Sequence, residues 1–209
     1  MATRNPGKIK ELRAVLADLP LSVVGLEAFG EIPEPEEHGV TFAENARDKA
    51  LYYAQATGQW CLADDSGLVV DAIGGLPGVQ SARYATDDVP PDSPRAVIDK
   101  ANNRKLLRAL AETPDPRTAR FVCHLALAEP GRVLLEAFDT IEGRIINEEH
   151  GDNGFGYDPL FWVDEKGCTT AELPSADKNQ ISHRGKALKT FSAKLHAMLN
   201  TTDQAGSKR

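Results

Sequence analysis

Cysteine is scarce in this chain, three residues in 209. Cys61, Cys123 and Cys168 lie far apart, two of them in apolar runs, with neither metal-ligand spacing nor a disulfide framework. Scattered thiols of that kind fit a reducing compartment, so the expected location is the cytoplasm. Long hydrophobic runs are missing too. Nothing approaches the roughly 18 apolar residues of a membrane span, and no signal-peptide pattern opens the sequence. Basic charge is in deficit: 24 Lys and Arg stand against 31 Asp and Glu, a formal net charge of -7. A sequence-independent grip on nucleic acid needs a basic face, so the charge argues against that class and no nucleic-acid partner is expected. A few local Lys and Arg still suffice for a small phosphate ligand. No internal repeat is present. At 41% hydrophobic and 26% charged, the composition is that of a soluble globular protein, one domain or one domain in two lobes. Only the polar stretch from Thr201 to Arg209 reads as a disordered tail.

What is there centres on Trp60 to Arg83. Trp60-Cys61-Leu62-Ala63 reads as a short buried strand. It delivers Asp64, Asp65, Ser66 and Gly67 onto an expected turn, and Leu68-Val69-Val70 forms a second apolar run. Carboxylates at the end of a buried strand are costly unless they hold a metal or accept hydrogen bonds. Consecutive residues on an extended segment point opposite ways, so Asp64 is expected to face away from whatever Asp65 binds. A plain polar turn of Asp, Ser and Gly is the competing reading.

Upstream, Thr3-Arg4-Asn5-Pro6-Gly7-Lys8 opens a helix, with Asn5 as N-cap, Pro6 at the first position and Ile9, Leu12 and Leu16 on one face. A helix start with a Gly and a Lys is an anion site in waiting. It is not a Walker A loop, because Ile9 follows Gly7-Lys8 where Ser or Thr would be needed. Leu21 to Leu26 reads as a strand, and Glu34-Pro35-Glu36-Glu37 as an acidic loop. Thr41 and Glu44 form a capping box for a helix with Phe42, Ala46, Ala50 and Ala54 on one face and Gly58 as its stop. Asn45 and Lys49 stand four apart on that helix, either pointing together into a cleft or simply exposed.

Downstream, Ala85 to Pro94 reads as a loop, and Ser93-Pro94 starts a helix carrying Val97, Ala101, Leu107 and Leu110. Ala119 to Ala128 and Val133 to Phe138 pair as a hairpin across Pro130-Gly131, with His124 a satisfied core histidine. The stretch Gly151 to Pro159 is unusual. Its glycines allow close backbone approach, and Phe155 and Tyr157 offer flat faces for a base. Leu160 to Val163 is a buried strand. Asp177 to Arg184 is a dense polar cluster, whose Lys178, His183 and Arg184 suit phosphate or the carbonyl edge of a base. A last helix carries Leu188, Phe191, Leu195 and Met198.

In order along the chain stand T-R-N-P-G-K, T-F-A-E-N-A, L-A-D-D-S-G-L, G-G-L-P-G-V-Q-S-A-R-Y, F-G-Y-D-P-L-F and K-N-Q-I-S-H-R-G. This ordered set, from Thr3 to about Leu199, resembles the inosine triphosphate pyrophosphatase family, also called the dITP/XTP pyrophosphatases. The resemblance implies an α/β fold: an elongated mixed β-sheet with flanking helices, two lobes around a central cleft, and one catalytic domain over residues 1–200. It also implies a homodimer. The implied activity is Mg²⁺-dependent hydrolysis of dITP, ITP and XTP to the monophosphate and pyrophosphate, cleansing the nucleotide pool. Carried over by position, Thr3, Arg4, Asn5, Pro6, Gly7 and Lys8 would grip the triphosphate. Asp65 would be proton acceptor and metal ligand, with Glu36 the second carboxylate. Ser66, Phe155, Gly156, Tyr157, Asp158, Lys178, His183 and Arg184 would complete the nucleotide site, with Phe155 stacked on the purine.

The chain departs from the family at its start, where only Met1 and Ala2 precede the Thr. Relatives carry an apolar strand there, so the expectation is a late-assigned start or a shortened chain. Two rival classes are weighed. A Maf-type pyrophosphatase for modified pyrimidine nucleotides lacks the S-H-R-G and F-G-Y-D-P set. A non-catalytic nucleotide-binding module has no need of Asp64-Asp65.

Overall fold

The computed structural model describes residues 1–3 and 6–206. Arg4 and Asn5, expected in the phosphate grip and at the helix cap, lie outside the described residues. Helix α1 spans Pro6–Val15, starting at Pro6 as the sequence predicts, and buries Ile9 and Leu12. Helix α2 spans Phe42–Thr57. Its capping box is complete: Glu44 N–H donates to Thr41 Oγ1 at 3.2 Å, and the Glu44 carboxylate accepts from Thr41 N at 3.0 Å. Gly58 ends it in the left-handed region, which favours glycine. Ala46, Ala50 and Ala54 are fully buried, so this face of α2 packs close.

Strand β1 (Cys61–Val70) is one unbroken strand. The turn expected at Asp64 to Gly67 does not form. Turn propensity loses because both carboxylates find cationic partners in place, so the backbone stays extended. The strand expected at Leu21 to Leu26 is absent as well. Leu26–Phe29 is a 3₁₀ turn, and Leu21 and Val24 are exposed. Among the described residues, its backbone bonds to the start of the chain are single ones, from the Met1 ammonium to Val24 O and from Leu26 N–H to Thr3 O.

Helix α3 (Arg95–Ala109) follows. Then come β2 (Thr118–Glu129) and β3 (Arg132–Ile145), the predicted hairpin turned by Pro130-Gly131 but longer than expected. Strands β4 (Phe161–Val163) and β5 (Cys168–Thr169) complete a five-stranded sheet in the order β1-β2-β3-β4-β5. Strand β3 pairs antiparallel with β4 in the register Ile145 to Phe161, and β4 antiparallel with β5. Helices α4 (Ser175–Ile181) and α5 (His183–Gly206) end the chain. Helix α5 continues six residues into the stretch expected to be a tail. No helix among the described residues is long and apolar enough to cross a membrane.

The chain separates into two compact units. The first takes residues 1–65, 123–139 and 185–209, and the second residues 66–122 and 140–184. The first unit is built on two apolar clusters. One joins Leu12, Leu62, Leu125 and Phe191; the other seats the alanine face of α2 on Cys61, Ala63 and Ala126. A cavity of about 760 Å³ in this unit is lined by Leu12, Leu16, Trp60, Leu62, Leu127 and Phe191. The second unit is centred on Leu68, Leu106, Phe121, Ile145 and Phe161. Helix α3 departs from its predicted face: Val97 is exposed, while Asp99, Asn102 and Asn103 are buried beside Ala101 and Leu106.

Candidate active site

In the first unit, two acids of β1 meet two different lysines. Asp64 is buried and accepts from Lys8 Nζ through both oxygens, at 2.9 and 3.0 Å. Asp65 takes Lys49 Nζ at 3.0 Å on Oδ1 and Asn45 Nδ2 at 3.2 Å on Oδ2. Strand alternation therefore separates the acids as expected. Asn45 and Lys49 point inward together, with Asn45 only 1% exposed. The Asn45 amide oxygen also accepts from Gly39 N–H at 2.9 Å, tying the acidic loop to the start of α2.

Lys49 is shared, for it also pairs with Glu37. Glu36 is not brought to Asp65. Its carboxylate is exposed and lies 3.1 Å from His38 Nε2. Neighbours on an extended loop point apart, and here the inward position falls to Glu37, one residue on. Burial pushes the Asp65 carboxyl above its ordinary value against the opposing pull of Lys49 and Asn45, with Glu37 adding to the rise. Burial disfavours the Lys49 ammonium, yet Asp65 and Glu37 outweigh it and hold Lys49 above its ordinary value.

Among the described residues, no three His, Cys, Asp or Glu side chains gather into a metal cage. Two oxygen donors, Asp65 and Glu37, do converge, on the Lys49 ammonium. That donor set fits Mg²⁺, which keeps several waters and takes one or two carboxylates plus substrate phosphates. Of the expected triphosphate grip, Thr3 is bonded through its backbone to Leu26, and Pro6 and Gly7 open α1.

In the second unit, the loop Gly154 to Asp158 is organised by a buried acid. Asp158 Oδ2 accepts from Phe155 N–H at 2.8 Å and Lys178 Nζ at 2.5 Å, and Oδ1 from Thr170 Oγ1 at 2.8 Å. Asp158 is thereby a structural hub of the loop. Gly154 has a φ of +81°, and a Cβ there would run into the Asp158 carboxylate. Phe155 is 61% exposed, with Lys178 Nζ 5.4 Å from its ring centre. Tyr157 is a correction, because it offers no face to a base. It is 3% exposed and its hydroxyl donates to Ser81 O at 3.0 Å. Burial drives its phenol far above the ordinary value.

His183 opens α5 with its ring stacked on Phe121, 5.1 Å between centres, and Arg184 follows it. Ser66, on β1, has a buried Oγ with no hydrogen bond among the described residues. Sequence reasoning left Asn45 and Lys49 undecided and passed over Glu37 and Asp99. A signal existed for the first pair, a polar i, i+4 couple on a helix leading straight into an acidic strand.

The Ham1 family model matches residues 1–194. A dITP/XTP pyrophosphatase of Geobacter sulfurreducens is 50% identical over 189 residues, covering 90% of this chain and 91% of the relative. Among solved structures, a HAM1 protein from Coxiella burnetii superposes with a TM-score of 0.84 at 40% identity, covering 94% of this chain and 96% of that one. A nucleoside-triphosphatase / dITP/XTP pyrophosphatase from Mycobacterium abscessus gives 0.74 at 40% identity, covering 90% and 94%. Likeness of this extent, in sequence and in fold together, makes the chain a member of the Ham1 family.

Proposed function

We propose that this protein hydrolyses non-standard purine nucleoside triphosphates, dITP, ITP and XTP, to the nucleoside monophosphate and pyrophosphate. The observation that carries the mechanism is Asp65: a buried carboxylate with raised proton affinity, short of full compensation because its lysine is shared. The dITP/XTP pyrophosphatase relatives supply the substrate class.

Water attacks the α-phosphorus, and the bond from that phosphorus to the bridging oxygen breaks, so pyrophosphate departs with the oxygen. Asp65 takes the proton of the attacking water, a role for which a raised carboxyl is suited. Mg²⁺, held by Asp65 and a carboxylate of the Glu36-Glu37 loop, would supply charge neutralisation on the phosphates. Lys49 steadies Asp65 in its ionised form, and Lys8 with the first turn of α1 receives the triphosphate. The Ser66 hydroxyl is a spare donor for a phosphate oxygen.

Phe155 stacks on the purine, Lys178 bonds it, and His183 and Arg184 supply donors to its 6-oxo group. Adenine presents an amino donor there, and unpaired buried donors can discriminate on the order of 10⁴-fold. A cytoplasmic location and a homodimer belong to the same proposal. The scatter of the three cysteines, with no disulfide framework or metal-ligand spacing, supports the first, and light scattering tests the second.

The deciding assay follows pyrophosphate release from ITP, dITP, XTP and ATP with and without Mg²⁺. Turnover is expected for the first three, far above ATP, and only with the metal. Asp65→Asn keeps the shape and removes the base, so kcat should fall by roughly 10²- to 10⁴-fold. Asp64→Asn should lose much less, acting through Lys8. Equal losses in the two variants would refute the assignment of the base, and ATP turned over as fast as ITP would refute the substrate class.

A further inference from the structure

Helix α3 turns a polar face inward. Asp99, Asn102 and Asn103 are 9%, 0% and 3% exposed, and the spacing i, i+3, i+4 puts them on one side. Each takes a different segment. Asp99 Oδ2 accepts from Gly156 N–H at 3.1 Å. Asn102 accepts from Ala85 N–H at 2.7 Å and donates to Ser81 O at 3.3 Å. Asn103 donates to Glu149 at 2.7 Å. Burying polar groups costs free energy unless they are bonded, and apolar residues would serve simple packing better. What this row adds is direction: it fixes where three loops run.

Phe155 is the residue for which direction matters most. Its ring is 61% exposed, so its orientation rests mainly on its own backbone. That backbone is flanked by Gly154 and Gly156 at φ values of +81° and +62°, residues with wide conformational freedom. Among the described residues, the backbone bond from Asp158 N–H to Phe155 O closes the turn, and three bonds involving side chains restrain it: Phe155 N–H to Asp158, Gly156 N–H to Asp99, and Tyr157 hydroxyl to Ser81 O. Asp158 belongs to the turn it restrains. Asp99 does not, and its other oxygen lies 2.9 Å from Arg95 Nε on the same helix without a hydrogen bond among the described residues. Asn102 grips Ser81, so the second outside anchor also returns to α3.

We propose that Asp99 is a positioning residue for purine recognition, holding the Phe155 turn through Gly156 in the pose that accepts the base. This rests on the reading of Phe155 as the purine platform. Asp99 itself touches no substrate. Losing the hydrogen bond that Gly156 N–H donates to this side chain should therefore weaken ITP binding about tenfold or more, while kcat changes little.

The test uses Asp99→Ala, Asp99→Asn and Phe155→Ala, singly, with Asp99→Ala also combined with Phe155→Ala. ITP binding is measured by calorimetry in EDTA, and kcat and KM with Mg²⁺. Asp99→Ala should weaken binding and raise KM at nearly constant kcat. Asp99→Asn keeps an acceptor oxygen and should recover most of the affinity. In the Phe155→Ala background, Asp99→Ala should add little, because the platform it serves is gone. Asp99→Leu, apolar and similarly branched, replaces the alanine variant should that one fail to fold. Weakening by Phe155→Ala with none by Asp99→Ala overturns the role of Asp99 alone. So does an undiminished loss in the double variant. Phe155→Ala without effect on ITP binding overturns the platform reading, and the inference falls with it.

Discussion

Replacing Lys49 by Met isolates the electrostatics of the acidic centre. The straight Met side chain keeps most of the contact made by the Lys stem, so the change is chiefly the lost ammonium. That ammonium bridges Asp65 and Glu37, with Lys49 and Asp65 side chains 16% and 11% exposed. Breaking a buried ion pair from one side costs roughly 3 to 5 kcal/mol. The residual exposure and the surviving Asn45 bond argue for the lower end, about 3 kcal/mol. For a chain of this size each kcal/mol moves Tm by roughly 2 to 4 °C, so a fall of about 6 to 12 °C is expected at neutral pH.

The pH dependence has a definite sign. A carboxyl whose native pKa lies above its unfolded value contributes stability at low pH and loses it as pH rises through the native value. Burial already places Asp65 in that class, and without Lys49 the rise is larger. The deficit of Lys49→Met should therefore shrink as the solution is acidified and Asp65 takes up a proton. Thermal unfolding followed by circular dichroism, variant beside wild type at several pH values, reads both effects. A Tm within about 2 °C of wild type at neutral pH, well short of the cost of a broken buried pair, would refute the reasoning. So would a deficit that grows on acidification.

Gly154→Ala places a side chain at a φ of +81° and drives its Cβ toward Asp158 and Lys178. The backbone cost alone is roughly 1 to 2 kcal/mol; a lower Tm and a raised KM for ITP are expected, and an unchanged KM would remove Gly154 from the recognition loop. The cavity of about 760 Å³ beside Trp60 and Leu62 should accept added chain. Fusing five alternating apolar residues ahead of Met1 should raise Tm, since it fills apolar space and replaces an ammonium that burial already disfavours. An unchanged or lower Tm would count against that use of the cavity.

Local signals in the sequence were readable where the decisive contacts are local. The capping box of Thr41 and Glu44, the alanine face and Gly58 define α2 within eighteen residues of chain, and the structure follows them. The hairpin turn at Pro130-Gly131 is of the same kind. The run Asp64 to Gly67 misleads because its composition favours a turn, while what keeps it extended comes from elsewhere. Lys8 is 56 residues away and Lys49 is 16. Glu36 and Glu37 fail for another reason. On an extended loop the choice of inward residue is a matter of register, and an acidic pair looks alike in either register. Helix α3 hid its polar face because burial of Asp99 and Asn102 depends on loops more than ten residues distant.

Adjacent acids in mid-strand would be a liability if they shared a face, since two buried carboxylates side by side repel and one must stay protonated. Alternation removes that conflict and lets each be tuned alone. Asp64, with a side chain 4% exposed, has both oxygens on one ammonium. Asp65 is matched incompletely, because Glu37 competes for Lys49. Burial then outweighs the attraction and lifts its proton affinity. The incomplete pairing equips Asp65 to accept a proton from water, and the competitor that leaves it incomplete is Glu37.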